Sequence, residues 1–133
     1  MRRSKELVFT NGCFDVIHIG HIRLLEYAAS LGPLVVGLNS DASVKRLKGP
    51  SRPVNTSNER MEVLKAIKYV SEVIVFEEDT PLNLIKELSP KLLVKGGDYR
   101  PEDVVGYGIT EIRIFPIVNG FSSSNLISRM SGR

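Results

Sequence analysis

Leu7-Val8-Phe9-Thr10-Asn11-Gly12-Cys13-Phe14-Asp15-Val16-Ile17-His18-Ile19-Gly20-His21 is the stretch on which the fold turns. Leu7 to Thr10 is an apolar run suited to a buried strand, Asn11-Gly12 are turn residues, and Ile22 to Leu31 repeats apolar residues at helical spacing. His18 and His21, the two histidines of the chain, then sit about one helical turn apart at the helix start and point the same way. Helix starts attract anions, because the first N–H groups lack internal partners and the peptide dipoles add to a partial positive charge there. Gly20, between the histidines, has no Cβ and lets a flat base or a phosphate approach the backbone. The stretch reads as a cradle for a nucleotide triphosphate. The plainer reading of the histidines is a satisfied core pair or a chance surface pair.

Working outward, apolar runs for buried parallel strands recur at Leu34–Leu38, Val73–Phe76, Leu92–Val94 and Ile112–Val118. Helical patterns separate most of them: Leu24, Leu25, Ala28 and Leu31 share a face, as do Met61, Leu64 and Ile67, and Leu82, Ile85 and Leu88. Start signals agree, with Thr56 and Glu59 as a capping box, Asp41 capping a helix over 42–47, and Pro81 at a first helical position. Alternation with short connections demands right-handed crossovers, and so an α/β doubly wound parallel sheet covered on both faces. Ligands of such sheets bind beyond the carboxyl ends of the strands, where Thr10 to Asp15, Asn39-Ser40-Asp41 and Lys95-Gly96-Gly97-Asp98 converge.

With 133 residues, 42% hydrophobic and 25% charged, the chain fits one soluble globular domain over 1–133. No apolar run approaches the roughly 20 residues that span a bilayer, and the apolar stretch after the basic Met1-Arg2-Arg3-Ser4-Lys5 is too short for a signal peptide. The expectation is a cytoplasmic protein with no membrane partner. One cysteine excludes an internal disulfide, and two histidines disfavour a structural zinc. A net charge of +3, no tryptophan and few other aromatics argue against nucleic acid.

Neither GxGxxG after the first strand nor GxxxxGK[ST] occurs, which removes the two commonest phosphate loops. Asn11-Gly12 can adopt unusual backbone angles that turn N–H groups toward a phosphate, or simply form a tight turn. From Ala42 to Asn58 there is no acidic residue, while Lys45, Arg46, Lys48 and Arg52 lie there; this is a solvated face or a source of phosphate ligands, with Lys48 beside Gly49-Pro50 first. Arg60 meets a phosphate or pairs with Glu59 or Glu62 along its helix. Asn119-Gly120-Phe121-Ser122-Ser123-Ser124 precedes a short helix bearing Leu126, Ile127 and Met130; its serines cap that helix or donate to the triphosphate opposite the histidines. Cys13 has a nucleophile's position but no base to activate it, so a structural or backbone role is expected.

The run Thr10 to His21 resembles the signature of the HxGH nucleotidyltransferases, and the resemblance implies their Rossmann-like fold. Within that superfamily Asn39-Ser40-Asp41-Ala42-Ser43-Val44-Lys45-Arg46-Leu47-Lys48-Gly49, Arg52-Pro53-Val54-Asn55 leading to Glu59-Arg60-Met61, and Leu93-Val94-Lys95-Gly96-Gly97-Asp98-Tyr99 are similar to the heptose 1-phosphate adenylyltransferases of ADP-heptose and lipopolysaccharide synthesis. The resemblance implies transfer of AMP from ATP to a sugar 1-phosphate, with Mg²⁺ accompanying ATP. His18, His21 and Lys48 would be catalytic; Thr10, Asn11, Gly12, Cys13, Phe14, Gly20, Gly96, Asp98, Asn119, Ser122 and Ser123 would bind nucleotide; Asp15, Asn39, Asp41, Lys45 and Arg60 would bind the acceptor. Cytidylyltransferases of this kind carry an arginine before their C-terminal glycine-serine motif; Pro116 to Ser122 here holds no basic residue, which argues against CTP. The segment between Asp98 and Ile112 is short for a heptose enzyme, and a homo-oligomer is left open. Relatives are often fused to a sugar kinase, for which 133 residues leave no room. The alternatives are a CTP-dependent enzyme acting on glycerol 3-phosphate or another polyol phosphate, and a nucleotide-binding module without turnover.

Overall fold

The computed structural model describes residues 6–116. The basic N-terminus and the expected helix around Leu126, Ile127 and Met130 lie outside the described residues, as do Asn119, Ser122 and Ser123. The chain runs β1 (Val8–Gly12), α1 (Ile19–Ala29), β2 (Leu34–Asn39), α2 (Asp41–Lys48), α3 (Ser57–Ala66), β3 (Glu72–Phe76), α4 (Leu82–Leu88), β4 (Leu92–Gly96), a 3-10 turn at Pro101–Asp103, and β5 (Glu111–Phe115). The five strands form one parallel sheet in the order β3-β2-β1-β4-β5.

Residues alternate between the two faces as a pleated strand requires. Val8, Leu34, Val36, Leu38, Leu92 and Val94 pack with Leu24, Leu25 and Ala28 of α1 and Leu64 of α3. Leu7, Phe9, Val35 and Leu93 pack on the other face with Leu84, Ile85 and Leu88 of α4. Sandwiched between helical layers, β2 is buried at all six positions, which is why it reads as a continuous apolar run. The chain winds outward from β1 to β3, then α4 carries it back across to β4 on the other side of β1. The order of winding therefore reverses between β1 and β4.

The expected doubly wound sheet is present, with local differences. β1 runs two residues past Thr10 to Gly12, and α1 begins at Ile19 rather than Ile22 and ends at Ala29. Ser40, not Asp41, caps α2: its side chain accepts from the Ser43 N–H at 3.1 Å, and Asp41 is already the first helical residue. Lys48 is the last residue of α2 rather than part of the following loop. Pro81 precedes α4, and the buried face of α4 runs through Leu84, Ile85 and Leu88 in place of Leu82. The Thr56–Glu59 capping box of α3 forms as read.

Candidate active site

The sheet opens where its winding reverses. β1 pairs with β2 as far as Gly12–Leu38, and β4 with β5 as far as Gly96–Phe115. β1 and β4 pair only at Val8–Leu92 and Phe9–Leu93, so beyond these residues the two central strands part. Ligands of open α/β sheets bind at such a point. A crevice of about 500 Å³ lies there, lined by the end of β1 (Asn11 to Asp15), Lys95 and Gly96 of β4, His21, Lys48, Arg52 and Tyr99.

The two histidines build the start of α1 themselves. His18 is its N-cap, and His18 Nδ1 accepts the Gly20 N–H at 3.0 Å. The His18 N–H in turn donates to His21 Nδ1 at 3.2 Å, a capping box made of two imidazoles where Ser or Thr and Glu or Gln usually serve. Backbone N–H groups can only donate. Both Nδ1 atoms are therefore acceptors, and the proton of each neutral ring sits on Nε2. The rings stack at 4.0 Å, with the Phe14 ring 5.2 Å from His21. Burial, then His18 and Lys48, hold His21 down to about 4, and burial lowers His18 as well. At neutral pH both are uncharged hydrogen-bond donors. His21 lines the crevice, and His18 stacks on it without itself forming the wall.

The unusual backbone angle expected at Asn11-Gly12 falls instead at Phe14, with φ 46°. A non-glycine residue there costs of order 1 kcal/mol and persists only when its surroundings impose it. Here the Phe14 side chain is buried in the core that α1 covers, which holds the residue in that conformation beside the crevice. A Cβ at Gly12 would lie 3.1 Å from the Phe14 ring and would require it to give by a few tenths of an ångström. Burial pushes the Cys13 thiol up by more than Lys48, Arg60 and Arg52 draw it down, leaving a poor nucleophile.

Asp15, expected on the acceptor, is instead a mooring post. Its carboxylate accepts from Arg52 Nε at 2.8 Å, from the Val54 N–H at 2.8 Å and from the Asn55 N–H at 2.9 Å. Burial alone would raise its pKa, but the Asn55 and Val54 N–H groups and Arg52 outweigh burial and hold it below the usual carboxylate range. The 52–55 loop is thereby fastened to the end of β1, with Arg52 in the crevice wall and its Nη2 buried without a partner.

Arg60 is likewise structural, at 1% exposed. Its Nη1 donates to the carbonyls of Cys13 at 2.7 Å and Asn39 at 2.8 Å, Nε to Asn55 O at 3.0 Å, and Nη2 to Asp41 at 2.8 Å. One guanidinium thus ties the ends of β1 and β2, the 52–55 loop and α2 together. This replaces the expected pair with Glu59 or Glu62, and it occupies Asp41, which was expected at the acceptor.

Asn11, Gly12, Cys13, Phe14, Asp15, His21, Asn39, Lys48 and Gly96 meet at the crevice as the sequence placed them. Other expected residues do not. Thr10 is fully buried within β1, Gly20 is buried in α1 with its N–H spent on His18, and Lys45 and Asp98 are exposed away from the crevice wall. Arg52, Lys95 and Tyr99 also line the crevice; the sequence had placed Arg52 among the cations open to phosphate and Lys95 at a strand's carboxyl end beside Gly96-Gly97, but assigned none of the three a site role.

Comparison with known proteins agrees with this geometry. The cytidylyltransferase-like family model matches residues 9–127. The chain belongs to the cytidylyltransferase-like family. Within the wider set of its relatives, it is 51% identical over 138 residues to the bifunctional protein HldE of Syntrophotalea carbinolica, covering 99% of this chain and 28% of that protein. It is 51% identical over 133 residues to the bifunctional protein HldE of Campylobacter fetus, covering 98% of this chain and 29% of that one. The chain thus spans less than a third of these relatives' length. Among solved structures, the lipopolysaccharide core biosynthesis protein of Thermoplasma volcanium superposes with a TM-score of 0.67 at 27% identity, covering 84% of this chain and 95% of the other. No described helix is long and apolar enough to cross a membrane.

Proposed function

We propose that this member of the family transfers AMP from ATP to a heptose 1-phosphate, with residues 1–133 acting as one nucleotidyltransferase domain in the cytoplasm. The observation that carries the reading is the pair of stacked, uncharged imidazoles whose Nδ1 atoms are tied to backbone N–H groups, with His21 in the wall of the β1–β4 crevice and His18 stacked on it. An acceptor phosphate oxygen attacks the α-phosphorus of ATP; the bond to the bridging oxygen breaks, and pyrophosphate leaves with the electron pair. The nucleophile is already anionic, so the enzyme's task is placement and charge stabilisation rather than activation of a base. The Nε2–H groups of His18 and His21 donate to the β- and γ-phosphate oxygens, with the N-terminus of α1 beneath them, and Lys48 offsets charge that builds on the leaving group. Neutral donors suit this task, because they need no desolvated charge before the substrate arrives.

The likeness to proteins named HldE and to a lipopolysaccharide core biosynthesis protein supports the heptose branch of the family. No cluster of three metal-ligating side chains exists among the described residues. Magnesium is proposed to arrive on the triphosphate, where it keeps most of its water and asks little of the protein.

The test is a pyrophosphate-release assay that crosses ATP and CTP with heptose 1-phosphate, other sugar 1-phosphates and glycerol 3-phosphate. Release with ATP and heptose 1-phosphate is expected. Release with CTP and a polyol phosphate, or ATP binding with no release from any acceptor, would replace the reading.

A further inference from the structure

Lys95 is the crevice residue least explained by its protein surroundings. It ends the apolar run of β4, where Leu93 packs toward α4 and Val94 toward α1. Alternation along the strand places Lys95 on the Leu93 side, so it enters the crevice from the face of the sheet opposite α1 and its histidines. The side chain is half-buried, and its ammonium lies 5.3 Å from the centre of the Tyr99 ring. Among the described residues no ion pair joins it to a carboxylate, and the cation that bears on it is Lys48, across the crevice. Burial lowers its pKa and Lys48 adds to this, against an opposing pull from Cys13. A desolvated ammonium facing a second one is an arrangement that costs free energy until an anion enters between them. One ring face uses little of its capacity, since an ammonium has three N–H donors.

We propose that Lys95 is a phosphate-binding residue of this crevice, reaching from the sheet face opposite His18 and His21 to hold, together with Lys48, a phosphate oxygen of the nucleotide or of the acceptor. The assignment rests on the nucleotidyl-transfer reading for its substrates, but not for the anion itself. Phosphates would then meet neutral imidazole donors on the α1 face of the sheet and the Lys95 ammonium on the opposite face, with Lys48 across the crevice from it.

Calorimetric titration of the whole chain with inorganic pyrophosphate, which needs no acceptor, tests this. Lys95→Met keeps the stem against Tyr99 and removes the charge; its dissociation constant should rise about tenfold or more, as expected for loss of a charge-assisted hydrogen bond. Lys95→Arg should stay within about threefold of the unaltered chain. A residue that merely packs on Tyr99 would give the reverse order, with methionine tolerated and arginine disruptive, and that result would overturn the proposal. So would pyrophosphate binding unchanged in folded Lys95→Met, or no binding by the unaltered chain. Should Lys95→Met fail to fold, Lys95→Gln takes its place with the same expectation. In steady-state assays, a higher KM for ATP alone assigns the contact to the nucleotide, and a higher KM for the sugar phosphate alone assigns it to the acceptor; either supports the role. If no acceptor yields pyrophosphate while Lys95→Met still weakens pyrophosphate binding, the activity reading fails and the lysine assignment stands.

Discussion

Exchanging His21 for glutamine should separate its two tasks, capping α1 and donating to phosphate, and the pH dependence of folding shows how. In the fold His21 is held at about 4 against an ordinary 6.5. The native state therefore binds fewer protons than the unfolded chain between these values. A histidine depressed in this way contributes its full stability above pH 6.5 and loses it as the pH falls toward 4. At about 1.4 kcal/mol per pH unit the loss across the window is roughly 3 kcal/mol. Its physical origin is burial of the ring first, with His18 and Lys48 adding to it; a proton on Nδ1 would also displace the N–H that His18 donates to that atom. Glutamine at the same position, the third residue of α1, can still accept that N–H, as it does in ordinary capping boxes, yet does not titrate. Urea unfolding followed by far-ultraviolet circular dichroism at pH 7.5, 6.5, 5.5 and 4.5 should show similar stabilities at pH 7.5. The unaltered chain should then fall behind the non-titrating, cap-retaining His21→Gln by about 2 kcal/mol or more at the lowest pH. His18 and the carboxylates titrate in both proteins and cancel in the difference. Parallel loss of stability in the two proteins would refute the reasoning. The same variant should lose most pyrophosphate release at pH 7.5 despite its intact fold.

Further outcomes follow from the site. Arg60→Met leaves the carbonyls of Cys13, Asn39 and Asn55 without their donor and should cost about 3–5 kcal/mol in urea unfolding; a loss under about 1 kcal/mol would contradict its structural role. Lys48→Ala, at an exposed helix end, should change stability by less than about 0.5 kcal/mol yet lower turnover by about a hundredfold, so unchanged turnover would remove Lys48 from the mechanism.

Local sequence was enough for the order of strands and helices along the chain, the parallel doubly wound sheet, and the place where β1 hands over to the helix that the two histidines cap. These are local properties: apolar runs of strand length, helical spacing of Leu24, Leu25 and Ala28, and the Thr56–Glu59 box act between near neighbours in the chain. What each polar residue does there was settled only by tertiary structure. Arg60 reads as a phosphate ligand until the fold brings to it partners 19, 21 and 47 residues away. Asp15 reads as a substrate contact until the 52–55 loop closes over it. Lys95 reads as one residue of a polar stretch at a strand's carboxyl end until β1 and β4 part after only two paired residues and its side chain lines the gap. The reason is common to all three: a charged side chain takes its role from the groups that surround it once water is displaced, and distant parts of the chain supply those groups.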